Sequence, residues 1–155
     1  MTIFTAFNFH VDIRVDGDDD FHCESGFSTC DGLEMSATNK SIRSGGDNWR
    51  TMHLGGPVST GTLVLKRGMT SSFDLWRWFE KVHSDGHRHL RATIEVTSLG
   101  SRPAAEQATW ILDRCLPVRL RVPGFDAAAG QLAIEELQAA YETIRLRIPE
   151  GTNNG

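Results

Sequence analysis

Period-two alternation constrains this chain more than any other feature. From residue 8 to 15, Phe9, Val11, Ile13 and Val15 take one face, and Asn8, His10, Asp12 and Arg14 take the other. Leu90, Ala92, Ile94 and Val96 alternate in the same way with Arg91, Thr93, Glu95 and Thr97. Val118, Leu120 and Val122 share a face opposite Arg119 and Arg121. A strand turns successive side chains to opposite sides, so each segment reads as a half-buried strand.

The punctuation between these segments is turn chemistry. Asp16-Gly17-Asp18-Asp19-Asp20 reads as a turn, because Asp and Gly accept tight backbone geometry. Phe21 to Thr29 then reads as the returning strand of a hairpin. Asp31-Gly32 is a second turn, after which Leu33 to Ala37 resume extended chain. Thr38 to Gly61 is rich in Gly, Ser, Thr and Asn, with Met52, Leu54 and Val58 thinly spread. A stretch of that length without strong periodicity reads as a functional loop, or as an extended hairpin that relies on a partner. Thr62 to Lys66 is strand-like, ended by Arg67-Gly68. Leu75, Trp78, Phe79 and Val82 repeat at i, i+3, i+4 and i+7, which is one face of a helix. Ser71 or Ser72 is placed to cap it and Asp85-Gly86 to stop it. Leu99 to Gln107, with Arg102-Pro103, reads as a turn region. Thr109 to Leu112 and Val118 to Val122 read as two strands broken at Leu116-Pro117. The last element is ambiguous: Ile134, Leu137, Tyr141 and Ile144 fit a helical period over Gln131 to Thr143, while Ile144, Leu146 and Ile148 alternate at period two.

Composition excludes several classes. At 155 residues the chain holds one core. Its 39% hydrophobic and 23% charged content suits neither a disordered chain nor a membrane-spanning one. Met1 to His10 carry no basic flank and no small-residue cleavage site, so no secretory signal is expected. A net charge of -4 and a pI near 5.8 argue against duplex nucleic acid as a partner, because phosphate binding needs a basic face. The 3 cysteines do not make a disulfide framework and suit a reducing compartment.

Candidate chemistry is sparse. His83, His87 and His89 cluster, but Asp85-Gly86 interrupts any helix that would align them on a metal. His22-Cys23 and Cys30 lack zinc-knuckle spacing, and Cys115 is far away, so the cysteines read as small buried hydrophobes. Counted from Asp16, the EF-hand positions for Gly and bidentate Glu hold Phe21 and Phe27, so no calcium loop is expected. Gly55-Gly56-Pro57 lacks the Lys-Ser/Thr of a phosphate loop, and no Gly-x-Ser-x-Gly elbow occurs. No catalytic, cofactor-binding or metal residue is assigned.

A series of small motifs in fixed order carries the strongest signal. They are Gly26-Phe27, Gly32-Leu33-Glu34, Gly45-Gly46-Asp47-Asn48, Leu63-Val64-Leu65-Lys66-Arg67-Gly68 and Leu75-Trp76-Arg77-Trp78. Trp110, Cys115-Leu116-Pro117-Val118, Phe125-Asp126-Ala127 and Ala133-Ile134-Glu135-Glu136-Leu137 follow. In this order the chain resembles the tail tube protein family of contractile phages and contractile injection systems, over most of residues 8 to 147. It departs from the family pattern in the acidic run Asp16 to Asp20, in Cys30-Asp31 where Val-Ser is more usual, in Arg119 and Arg121, and in the turn from His83 to His89.

The resemblance implies a mainly β fold: two antiparallel sheets forming a barrel-like sandwich, with one flanking helix at about Ser72 to His83. It also implies a long strand over Leu132 to Leu146, against the local helical period. Residues 1–150 are expected to form one domain, with an extended loop or hairpin at about 38–61 and a flexible tail at 151–155. The implied role is structural: hexameric rings, sheets joined edge to edge around a lumen, stacked into a tube inside a contractile sheath. Implied partners are further copies of the chain, sheath and baseplate proteins, and cargo in the lumen, with no nucleic acid as a specific ligand and no membrane. The implied place is cytoplasmic assembly followed by incorporation into a phage tail or phage-tail-like particle. Gly45, Gly46, Asn48, Trp49, Met52 and Leu54 are the expected contacts between copies. The alternatives are a tube-initiating subunit at the baseplate, a small His-based metal enzyme, and a sugar- or peptide-binding sandwich using Trp49 or Trp110.

Overall fold

The computed structural model describes residues 4, 8–43, 45–46, 49–100 and 105–150. In chain order the elements are β1 (Phe9–Val15), β2 (His22–Ser25), β3 (Thr29–Asp31), β4 (Met35–Arg43), β5 (Thr51–Thr60), β6 (Thr62–Gly68), α1 (Asp74–Val82), β7 (Ala92–Leu99), β8 (Glu106–Arg121), β9 (Ile134–Ala140) and β10 (Thr143–Arg147). All strand pairings are antiparallel. The first sheet runs β2-β1-β7-β8-β10, and the second runs β8-β9-β6-β3. They stack as a sandwich that does not close into a barrel.

β8 belongs to both sheets. Its first half pairs with β7 up to Cys115 and with β10 from Thr109 to Asp113. Its second half, Leu116 to Arg121, pairs with β9. The strand therefore turns the corner between layers, with Arg114 at φ 53 and a register shift between Pro117 and Arg119. The expected break at Leu116-Pro117 is this bend inside one continuous strand; proline is tolerated there because a bulge leaves a position without a ladder donor.

The C-terminal segment is strand, not helix. β9 and β10 run along the same edge of β8, separated at Tyr141-Glu142 and sharing one register as far as Pro117, beyond which it shifts by one residue, so the expected long strand is two successive pieces. The helical period over Gln131 to Thr143 fails because burial alternates: Glu135, Leu137, Ala139 and Tyr141 face in. An inward carboxylate at Glu135 hid that alternation in the sequence.

Glu135 is accommodated by Arg67, which is 3% exposed. The Arg67 guanidinium donates to Glu135 at 2.5 Å and also to Asp74 of α1, and lies over the Phe27 ring, 5.2 Å from its centroid. A buried carboxylate and a half-buried one sharing one buried guanidinium satisfy charges that would be costly alone. Burial works to raise the Asp74 pKa, but hydrogen bonds from Arg67 and Cys23 and the guanidinium charge hold it below the ordinary carboxylate value.

α1 closes one side of the sandwich. Leu75, Trp78 and Val82 are buried against Val11, Ile13, Leu65, Leu112 and Leu137 in a single core. Trp78 stacks on Phe21 at 5.9 Å, and Lys81 is paired with Asp18 in the β1–β2 turn. The helix is slightly shorter than expected. Neither Ser71 nor Ser72 caps it: the N-cap is Phe73, at φ 50, with no side-chain cap bond. The expected returning strand Phe21 to Thr29 is split into β2 and β3, which lie in different sheets on either side of Gly26-Phe27.

Replacing Arg67 by Met is expected to cost about 3–5 kcal/mol in urea unfolding, because both carboxylates are left unpaired. Since the folded Asp74 pKa is lowered, its contribution is complete above the unfolded carboxylate value of about 3.9 and is lost as pH falls through the folded value. Asp74→Asn should therefore flatten the acid limb of a stability-against-pH curve.

Candidate assembly surfaces

The segment Thr38 to Gly61 forms most of a long two-stranded hairpin, β4 with β5, which pairs with no other strand among the described residues. Its base is pinned to the sandwich by Tyr141, 5% exposed. The Tyr141 hydroxyl donates to the Gly32 carbonyl at 2.6 Å and accepts the Glu34 N–H at 3.1 Å. Thr60 Oγ1 donates to the Tyr141 carbonyl at 2.7 Å. The chain can pass this point only with glycine: at Gly32, φ is +91 and a Cβ would lie 1.8 Å from the Thr62 carbonyl oxygen.

Beyond the base, the hairpin is exposed along nearly its whole length. A register shift between Ala37 and Asn39 divides it in two. Directly paired residues share a face. In the proximal half, Met35 and Ala37 lie on the face of Thr60 and Val58, while Ser36 and Ser59 bond to each other at 2.9 Å on the reverse. In the distal half, Lys40 and Ile42 share a face with Leu54 and Met52. The other distal face is polar, where His53 Nδ1 lies 3.1 Å from Asn39 Oδ1 and 3.4 Å from Ser41 Oγ. Apolar character therefore changes sides at the shift, and both apolar faces meet water in the isolated chain.

Of the residues expected to make contacts, Gly45 and Gly46 form the turn at the hairpin tip and have open space around them. Asn48 lies outside the described residues. Trp49, beside the tip, is 97% exposed. Met52 and Leu54 are brought together on the distal apolar face. Sequence reasoning missed Ile42, Met35 and Val58 as parts of these faces, although their alternation with Ser and Lys is a period-two signal. It also missed Tyr141, whose role depends on contacts more than 100 residues away in sequence.

The second sheet has two open edges. Among the described residues β3 has no strand on its outer side, and β8 beyond Cys115 pairs with no strand but β9. Beside the hairpin base, Phe9, Cys30, Leu33, Val96 and Trp110 line an apolar concavity.

The groups that invite a reactive reading are engaged elsewhere. His83 Nε2 lies 2.7 Å from the Pro117 carbonyl oxygen, and His87 Nδ1 lies 3.2 Å from Ser84 Oγ. Among the described residues no cluster of three His, Cys, Asp or Glu is arranged to hold a metal. Burial pushes the Cys23 and Cys115 thiols up to about 12 and the Cys30 thiol up to about 11, which suppresses the nucleophilic thiolate.

Open strand edges and outward apolar faces are liabilities in a monomer, and they belong to a structural subunit that assembles. The family model of the T4-like virus tail tube protein gp19 matches residues 5–145, and the chain belongs to that family. It is a structural tube subunit of a phage tail or phage-tail-like particle. A chain in the cryo-EM structure of the anti-feeding prophage (AFP) baseplate, 6-fold symmetrised, is similar at 26% identity and TM-score 0.81, over 95% of this chain and 97% of that one. A chain in the PVC sheath-tube complex of an extracellular contractile injection system shares the fold at 18% identity and TM-score 0.77, over 95% and 93%. Hcp1 from Flavobacterium johnsoniae is more distant, at 13% identity and TM-score 0.50, over 90% and 96%. No curated protein matches.

Tyr141→Phe should cost about 1–3 kcal/mol, because the Glu34 N–H and Gly32 carbonyl lose a buried partner. Limited proteolysis should show earlier cleavage near residues 32–34 and 60–61 while the sandwich stays intact.

Proposed function

We propose that copies of this chain close into six-membered rings that stack into the inner tube of a contractile injection particle. The observation that carries this reading is the hairpin. Two apolar faces pointing in opposite directions, on an arm fixed at its base by Tyr141, suit contact with two different neighbours. Met52, Leu54 and Ile42 supply the distal contact, with Trp49 and the Gly45-Gly46 turn at its end. The apolar concavity at Phe9, Leu33 and Trp110 offers a receiving surface of matching chemistry on the next ring. Sheath and baseplate proteins are the outer partners, cargo passes through the lumen, and the chain performs no catalysis. The likeness to a chain in an AFP baseplate favours a second reading, a subunit that initiates the tube there.

Deleting Asp47 to Met52 should leave a folded protein with unchanged melting behaviour that forms no tubes in electron micrographs. Tubes of normal length from that variant would overturn the stacking role. A main tube subunit should polymerise without limit when purified, whereas an initiating subunit should stop at rings or short stacks.

A further inference from the structure

The outward faces of the two sheets handle charge differently. On the first sheet the charges pair among themselves: His10 with Glu24 at 3.2 Å, Asp12 with Arg14 and His22 at 2.8 and 2.5 Å, Glu95 with Arg147 at 3.4 Å, and Asp113 with Arg145 at 3.2 Å. On the second sheet, register lays out two outward rows. One reads Arg119 of β8, Gln138 of β9, Val64 of β6 and Asp31 of β3; the other reads Arg121, Glu136, Lys66 and Thr29. Arg119, Arg121 and Lys66 are exposed, and none of them enters a salt bridge among the described residues.

Three cations therefore surround one carboxylate. Gln138 donates to Glu136 at 3.1 Å, and that bond, with the charges of Lys66, Arg119 and Arg121, holds the Glu136 carboxyl below its ordinary value. The Asp31 carboxylate stands at the far end of its row and accepts the N–H of Gly32 at 2.7 Å. The whole chain carries a net charge of -4, so the cluster is a local reversal of sign. Like charges held together repel, and an anionic partner relieves that repulsion.

Spacing and chemistry narrow the partner. Arg119 and Arg121 lie about 7 Å apart along β8, and Lys66 stands two strands away, about 10 Å across the sheet from Arg121. An extended polypeptide with acidic residues at alternate positions repeats its carboxylates at the same interval of about 7 Å. Neither row contains an aromatic side chain, so the face lacks the stacking platform that single-stranded nucleic acid uses. The rows also lack the large apolar anchor of a permanent protein interface. Exposed charge contacts are weak singly and screened by salt, which suits a chain in transit better than a fixed sheath or baseplate partner.

We propose that the outward face of the second sheet holds acidic, extended segments of a cargo polypeptide through Arg119, Arg121 and Lys66. Gln138 and Thr29 add neutral polar contacts in the same rows. The inference rests on the tube reading above, which brings cargo against this chain and repeats the face from copy to copy, so that weak contacts multiply. Arg119 and Arg121 depart from the family pattern, so the preference for acidic segments belongs to this chain.

The probe is a labelled poly-glutamate peptide, read by fluorescence anisotropy on the purified protein at low salt. Arg119→Glu with Arg121→Glu should weaken its binding by about tenfold or more. Arg119→Gln with Arg121→Gln should show a smaller loss in the same direction. Arg77→Glu with Arg88→Glu makes the same change in net charge at exposed residues outside the face, and should alter binding by less than about twofold. Salt at about 1 M, where the screening length is about 3 Å, should abolish binding. Circular dichroism should report one fold for all variants. An unchanged affinity in the Arg119/Arg121 reversal, or an equal loss in the Arg77/Arg88 variant, overturns the site. Tighter binding of a single-stranded oligonucleotide than of poly-glutamate overturns the acidic polypeptide as partner. Wild-type protein that forms tubes but does not bind the peptide overturns this inference alone. Wild-type protein that binds the peptide as expected but forms no ring overturns the tube reading, and the cargo assignment with it, while the acidic-segment site stands.

Discussion

The fold depends on one long antiparallel ladder, β8 against the line of β9 and β10. β8 is shared by both sheets, so the angle it turns at Arg114 and Pro117 sets how the layers stack. The opposing line bends at the same level, at Tyr141-Glu142. A bulge sharpens twist locally while leaving the ladder bonded on both sides. With the corner fixed, the inward residues of the two sheets face one another and α1 fills the space between them.

The corner also explains how the assembly surfaces arise. Because β8 leaves β7 at Cys115, its last six residues keep one edge unpaired. Because the opposing line bends at Tyr141, the hydroxyl of that residue reaches the carbonyl of Gly32 and the N–H of Glu34, where the hairpin leaves the body. One deformation therefore creates the lateral edge and anchors the projecting arm. The arm and the edge are separate surfaces, which suits the stacking and ring closure proposed above. Arg67 stabilises the arrangement from within by tying β6, β9 and α1 through two carboxylates.

Much of the sandwich was legible from local pattern. β1 and β7 were visible because each turns one face to the core, so residue types alternate through β1 and from Ala92 to Thr97 of β7. The helix was visible because Leu75, Trp78 and Val82 recur at its period. Its start was not, because Phe73 takes a left-handed conformation that no serine signal announces. β9 was masked by Glu135, an inward charge whose partner lies 68 residues away. The hairpin was singled out in the sequence as a region rather than as faces: Met52 and Leu54 were named, but pairing with Ile42 and Lys40 decides which side they occupy.

What the sequence determined by itself is the set of half-buried strands, the single amphipathic helix, the glycine at position 32 and the ordered motifs of the family. Each rests on short-range physics, in which neighbouring residues must satisfy one backbone and one boundary with water. The tertiary structure alone decided which strands share a sheet, where β8 turns its corner, and that Arg119 and Asp31 stand at opposite ends of one row. Those outcomes depend on hydrogen bonds and charge pairs between residues far apart in the chain, and no local period records them.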